Sequence, residues 1–382
     1  MILRHVQLSS PDITSEERRL VDEVLRSGQL SFGPMLEAFE HEFAAKFGAR
    51  HAVAMSSGTA ALHVAMIAAG VGEGDIVITT PFSFIASANS ILFERGVPHF
   101  VDIDPQTLTM DPVATVHAIE TLAPRGRLRA VLPVHIFGRM VEMDAILAAA
   151  RRNGVTMIED ACEAVGASAG GVFAGRWGDG AAFGFYPNKQ LTTGEGGMLL
   201  TDRDDWARLA RSLRNQGRSD SGPSLDHERL GFNYRMDSIS AAIGLAQVRR
   251  LDELLQKRKA VAMRYNALLA GIDGVTPPAP PRAGSRLSWF VYVVRLAGGI
   301  DRDQLRAALA ARGIDSRPYF PAIHLQPFYR ERFGFRPGMF PHTEAAGAAL
   351  LALPFHGNLT TEDIEYVCEA VAAEMGIMKV LG

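Results

Sequence analysis

Val155-Thr156-Met157-Ile158-Glu159-Asp160-Ala161-Cys162-Glu163-Ala164 is an apolar run that turns acidic at its end. A short continuous apolar segment reads as a strand buried on both faces, the pattern of a parallel sheet. Ligands of open α/β sheets bind beyond the carboxyl ends of the strands, so a carboxylate at that end, Asp160, is placed to meet one. A lone Asp after a strand also serves as a helix cap or turn former. What bears on the choice lies downstream, in Phe185-Tyr186-Pro187-Asn188-Lys189-Gln190-Leu191-Thr192-Thr193-Gly194-Glu195-Gly196-Gly197. One lysine there stands between an aromatic strand end and a glycine-rich turn. An amine that attacks a carbonyl must be accessible and partly desolvated, and glycines let a bound molecule approach the backbone. An ordinary surface-loop lysine is the alternative.

Val53-Ala54-Met55-Ser56-Ser57-Gly58-Thr59-Ala60-Ala61-Leu62-His63 passes from a short strand through small polar residues into an alanine-rich helix. Backbone N–H groups of a first helical turn, with hydroxyls beside them, can hold a phosphate; a plain Ser/Thr-capped helix would read the same. Taken together, the lysine, the carboxylate and the anion turn match the needs of pyridoxal phosphate. That cofactor requires a lysine for its aldehyde and a carboxylate for its protonated ring nitrogen. No GxGxxG or P-loop lysine follows a strand, which speaks against nicotinamide and nucleoside-triphosphate chemistry.

Apolar strands recur at residues 53–55, 76–80, 99–103, 130–135, 155–158, 181–185 and 198–201, with helical stretches between most of them. This rhythm predicts an α/β fold with a mainly parallel seven-stranded sheet covered on both faces. Thr14-Ser15-Glu16-Glu17 has capping-box spacing and opens a helix that ends at Gly28. A long helix is expected over 238–270, and Pro277-Pro278-Ala279-Pro280-Pro281 follows it as a boundary signal. Beyond it, a strand at 289–296 and helices at 302–312 and 361–375 predict a smaller C-terminal α/β domain. The expected division is 1–250 for the large domain and 251–382 for the small one.

These residues resemble the nucleotide-sugar aminotransferases of the DegT/StrS type, which depend on pyridoxal phosphate and share fold type I with the aspartate aminotransferase superfamily. The resemblance spans nearly the whole chain. It includes Arg26-Ser27-Gly28-Gln29-Leu30-Ser31-Phe32-Gly33-Pro34, the three motifs above, Gly231-Phe232-Asn233-Tyr234-Arg235-Met236 and Arg317-Pro318-Tyr319-Phe320-Pro321-Ala322-Ile323-His324. It implies Lys189 as the Schiff-base lysine and general acid/base, and Asp160 as partner of the pyridinium nitrogen. Ser57, Gly58 and Thr59 would cradle the phosphate. Phe84, in Thr80-Pro81-Phe82-Ser83-Phe84-Ile85-Ala86-Ser87, would stack on the ring, with a core position as its alternative. Asn233 would reach the phosphate of a neighbouring subunit, implying a homodimer with shared sites. Arg317 and His324 are candidates for substrate contact, the arginine with a diphosphate.

Two positions depart from the family pattern. Gly184 stands where a serine is common and Glu163 where a glutamine is common. Gly184 removes a hydroxyl that would bond the phosphate, and Glu163 could engage the cofactor's phenolic oxygen only if one of the two carries a proton. The resemblance implies transamination from glutamate or glutamine to a keto-sugar nucleotide. The Thr192-Thr193-Gly194-Glu195-Gly196-Gly197 segment resembles members acting at C4 of 4-keto-6-deoxy sugars, perosamine-type enzymes included. Rival readings are a sugar dehydratase or cyclitol aminotransferase of the same fold, or a non-catalytic regulatory or sensor protein. Relatives with His in place of the lysine are dehydratases, and Lys189 argues against that outcome.

The remaining composition is compatible with such an enzyme. At 382 residues the chain can bury two cores, and a formal net charge of -3 offers no case for nucleic acid. Its two cysteines, Cys162 and Cys368, form neither a disulfide framework nor a metal cluster, and Cys162 reads as an inert thiol of the strand. Met1-Ile2-Leu3-Arg4-His5 precedes no secretory apolar stretch, and no run is long enough to span a bilayer. A cytoplasmic location away from membranes is expected.

Overall fold

A computed structural model describes residues 4–219 and 226–381. Seven strands form the main sheet: β1 (His51–Met55), β2 (Ile76–Thr79), β3 (Val97–Phe100), β4 (Leu128–Val131), β5 (Thr156–Asp160), β6 (Gly180–Gly184) and β7 (Gly197–Thr201). Their spatial order is β1-β7-β6-β5-β4-β2-β3. β7 runs antiparallel to both neighbours, and the other pairs are parallel. The carboxyl ends of β1, β5 and β6 therefore share one edge of the sheet, where the loops carrying the predicted site residues emerge.

Strand alternation sends successive side chains to opposite faces. Phe183 packs with Phe39, Phe43 and Leu245 on one face, whereas Ala182 packs with Leu62, Val64 and Trp206 on the other. Helix Gly58–Ala68 is buried over Ala60–Met66, and its Leu62, Val64 and Ala65 share a core with Ala182 of β6. The predicted N-terminal helix forms as Ser15–Ser27, with both bonds of the Thr14–Glu17 capping box present and Gly28 left-handed at its end.

A second sheet is built from Val275–Thr276, Tyr292–Leu296, Leu350–Leu353 and Arg317–Pro318, all antiparallel in that spatial order. Its core contains Tyr265, Tyr292, Leu353 and Val371. Two details differ from the expected organisation. The single helix expected over 238–270 is two, Ser238–Arg249 and Leu251–Leu269, with Arg250 between them outside helical geometry. Arg250 is tied to Asp12 at 3.0 Å and to Glu17 at 2.9 Å, partners remote in sequence. Val6, assigned by chain order to the large domain, packs in the second core, where its N–H donates to Gly313 O at 2.8 Å. The passage from one core to the other runs along helix Leu251–Leu269: Leu251 and Leu255 belong to the first, Val261 and Tyr265 to the second.

Candidate active site

The shared strand edge opens into a cleft of about 760 Å³. Ser57, Gly58, Thr59, Phe84, Asp160, Glu163, Lys189 and Arg317 all line it. Asp160 ends β5, Lys189 lies in the loop from β6 to β7, and Ser57 caps the helix that follows β1.

Lys189 Nζ stands 3.6 Å from Glu163 Oε1 and 3.8 Å from the centre of the Phe290 ring. The ammonium therefore meets a carboxylate on one side and an aromatic face on the other. Asp160 is only 4% exposed. Its Oδ2 accepts from Ser87 Oγ at 2.6 Å and its Oδ1 from Cys162 N at 3.1 Å, which fixes the plane of the carboxylate. Ser87 in turn pairs with Ser83 Oγ at 2.7 Å.

Glu163 Oε2 accepts from Phe137 N at 3.1 Å. Burial pushes the Glu163 pKa up, against the opposing pull of Lys189 and of that N–H. Tyr319, also lining the cleft, is pushed up to about 12 by burial and then by the Glu163 charge. Cys162 stands in a turn beyond β5 and not in the strand itself, and burial raises its thiol pKa far above the ordinary value. It is an inert thiol at the wall of the cleft.

At the anion turn, Ser57 Oγ accepts from Ala60 N at 3.1 Å, an N-cap bond. A Cβ at Gly58 would lie 3.0 Å from both Cys162 Sγ and Gly184 Cα, so the chain needs glycine there to close the cradle. Gly184 is different: a Cβ there would meet Cys162 and Gly58 at 3.5–3.6 Å, ordinary contact. Phe84 is 60% exposed, which overturns its reading as a core residue.

Two predicted residues are not brought to the cleft wall. Asn233 is exposed and bridges Asn215 through the backbone. His324 is fully buried, with Nε2 3.0 Å from Glu344 Oε1 and its ring edge-on to Phe340. Burial lowers its pKa. The substrate contact expected of His324 is corrected to a core contact that ties Glu344 to a short helical turn. Sequence reading assigned no role to Ser87, Phe290 or Tyr319. Ser87 and Tyr319 fall within quoted motifs, but nothing local marks Phe290, which reaches Lys189 from the second half of the chain. Among the described residues no cluster suits a metal ion, and no helix is long and apolar enough to cross a membrane.

The buried carboxylate, the lysine, the glycine cradle and an exposed aromatic ring fit a group with an anion at one end and an aromatic ring bearing a nitrogen beyond it. Comparison with known proteins agrees. Residues 11–372 match the DegT/DnrJ/EryC1/StrS aminotransferase family. GDP-perosamine synthase of Caulobacter vibrioides is 41% identical over 97% of this chain and 98% of its own. The structure of S. venezuelae DesV in complex with a ketimine intermediate superposes with a TM-score of 0.87 at 35% identity, covering 94% of each chain. The PLP form of a Streptococcus pneumoniae protein assigned as a sugar aminotransferase gives a TM-score of 0.91 at 25% identity, over 98% of this chain and 100% of that one. The chain belongs to the DegT/DnrJ/EryC1/StrS family and is an aminotransferase.

Proposed function

We propose that this protein is a pyridoxal-phosphate-dependent aminotransferase that moves an amino group from glutamate or glutamine to a nucleotide-linked keto-sugar, at C4 of a 4-keto-6-deoxyhexose. The observation that carries the reading is the placement of Lys189 and Asp160 in one cleft with the Gly58 cradle. Similarity to a GDP-perosamine synthase supports the sugar class and the C4 position. The product would enter amino-sugar or polysaccharide synthesis in the cytoplasm.

Pyridoxal phosphate supplies an electron-withdrawing ring that stabilises negative charge at the substrate carbon. Lys189 would hold its aldehyde, and Asp160 would hold the protonated ring nitrogen. Ser57, Gly58 and Thr59 would hold the phosphate, Phe84 would stack on the ring and Glu163 would face the phenolic oxygen. The chain's own part in the reaction is then proton handling. Lys189, once released, would move a proton between the substrate carbon and the cofactor's aldehyde carbon in both halves: off the amino donor's α-carbon in the first, and onto the sugar carbon that receives nitrogen in the second. Phe290 and Glu163 hold that amine on either side, so it moves between the two positions without leaving the cleft. Arg317 at the cleft mouth suits a diphosphate. Asn233, exposed and outside its own cleft, suits the phosphate of a second subunit, which makes the working unit a homodimer.

Borohydride reduction of the cofactor-loaded protein should leave a pyridoxyl label on Lys189 in peptide maps. Glutamate should bleach the visible band, and a 4-keto-6-deoxy sugar nucleotide should restore it with release of an amino sugar. A label on another lysine, or a deoxygenated product lacking nitrogen, overturns the reading.

A further inference from the structure

Helix Leu251–Leu269 carries Arg258 into the interior, where it is 6% exposed. A buried guanidinium is ordinarily met by a carboxylate. Among the described residues none pairs with Arg258, and burial alone pulls its pKa down to about 10. Its donors go to backbone carbonyls instead. Nη2 donates to Lys189 O at 2.8 Å and Asn188 O at 3.2 Å, and Nη1 donates to Phe290 O at 3.0 Å and Trp289 O at 3.3 Å. One planar fork thus joins the peptide segment that carries the lysine to the segment that carries the ring facing its amine. A lysine ammonium could not span both, because its donors radiate from a single point.

We infer that Arg258 is a positioning residue: it clamps the Asn188–Lys189 and Trp289–Phe290 backbones together, so that the Lys189 amine and the Phe290 ring keep one separation. The inference rests on the reading of Lys189 as the cofactor lysine. It explains why an uncompensated charge is kept in a dry site: four carbonyls left without donors would cost more than the buried guanidinium that serves them. Because the same helix spans the two cores, the clamp also ties the lysine to the packing of the C-terminal half.

The test uses the full chain with Arg258→Met, Arg258→Lys and Arg258→Ala. Amide hydrogen exchange on cofactor-free protein should show peptides covering 187–191 and 288–291 exchanging about tenfold faster or more in Arg258→Met, the scale of one lost charge-assisted hydrogen bond, with helix Ser238–Arg249 unchanged. Pyridoxal phosphate should leave the loaded variant faster by a similar factor. Arg258→Lys should recover little of either, and guanidinium ion should restore part of both in Arg258→Ala. Wild-type exchange at the two segments, or loss spread evenly over the protein, overturns the clamp; if Arg258→Met does not fold, Arg258→Lys read the same way decides. Failure of wild-type Lys189 to take the borohydride label would sink the cofactor reading instead, since the exchange measurement contains no cofactor.

Discussion

Glu159 and Asp160 are consecutive residues of β5, both nearly sealed from solvent, and they have opposite fates. Alternation along the strand turns them to opposite faces of the sheet. Glu159 Oε1 accepts from Trp177 N at 2.7 Å and Gly178 N at 2.9 Å, and its Oε2 from Gly175 N at 2.8 Å and His135 Nε2 at 2.9 Å. His135 Nδ1 accepts from Val141 N, so Nε2 carries the hydrogen that it donates. Every lone-pair direction of Glu159 is used. Asp160 receives two donors, from Ser87 and Cys162, and the rest of its carboxylate faces the cleft. A buried carboxylate with its acceptor capacity filled is a structural tie, whereas one with capacity to spare beside a cavity is available to a ligand.

Lys189→Ala should produce the largest change: loss of turnover by at least about 10²–10⁴-fold, as expected for a deleted proton shuttle, together with loss of the borohydride label. Steady-state rates and peptide mapping check both. Asp160→Asn should retain cofactor and an unfolding midpoint near wild type, while its rate falls about 10²-fold because the charge opposite the ring nitrogen is gone. Glu159→Ala should do the reverse. It strands three backbone N–H groups and His135 in a dry interior, and urea unfolding should show about 3 kcal/mol or more of lost stability. If Asp160→Asn unfolds while Glu159→Ala merely slows turnover, the contrast between the two carboxylates is wrong.

Two other buried groups sharpen it through pH. The folded-state pKa of Glu163 is raised by burial, so its contribution to stability is full at low pH and fades as pH rises through that raised value. Glu163→Gln should gain on wild type over that rise. His356 behaves oppositely: burial, then the Arg258 charge, pull it from 6.5 to about 4. Its neutral ring supports the fold above the unfolded value and ceases to as pH falls from 6.5 toward 4, because the unfolded chain binds the proton first. Denaturation midpoints against pH should flatten over that window in His356→Asn. The smallest effect belongs to Gly184→Ser. Its Cβ fits at ordinary contact distance, and one added hydroxyl should hold the cofactor more tightly by about 0.5–1.5 kcal/mol, read from dissociation of pyridoxal phosphate.

All seven strands of the main sheet were legible as short apolar runs, because a strand covered on both faces needs no partner to declare its pattern. The capping box at Thr14 was equally local. The break at Arg250 was not, since no glycine or proline marks it and its ion pairs come from Asp12 and Glu17. His324 ends a short motif with two prolines and no helical or strand period, which gives no hint of its burial beside Phe340. Nothing local in the sequence marks Arg258, and only the folded chain turns it inward.

From the sequence alone came the residue types of the site, their attachment to strand ends and the mainly parallel sheet, because each depends on contacts between near neighbours in the chain. Which carboxylate became a tie and which stayed open, what faces the lysine, and where the two cores join were decided by tertiary structure. Those outcomes depend on donors and rings supplied from distant segments, Trp177 to Glu159 and Phe290 to Lys189 among them, and on burial, which removes the water that would otherwise make such partners dispensable.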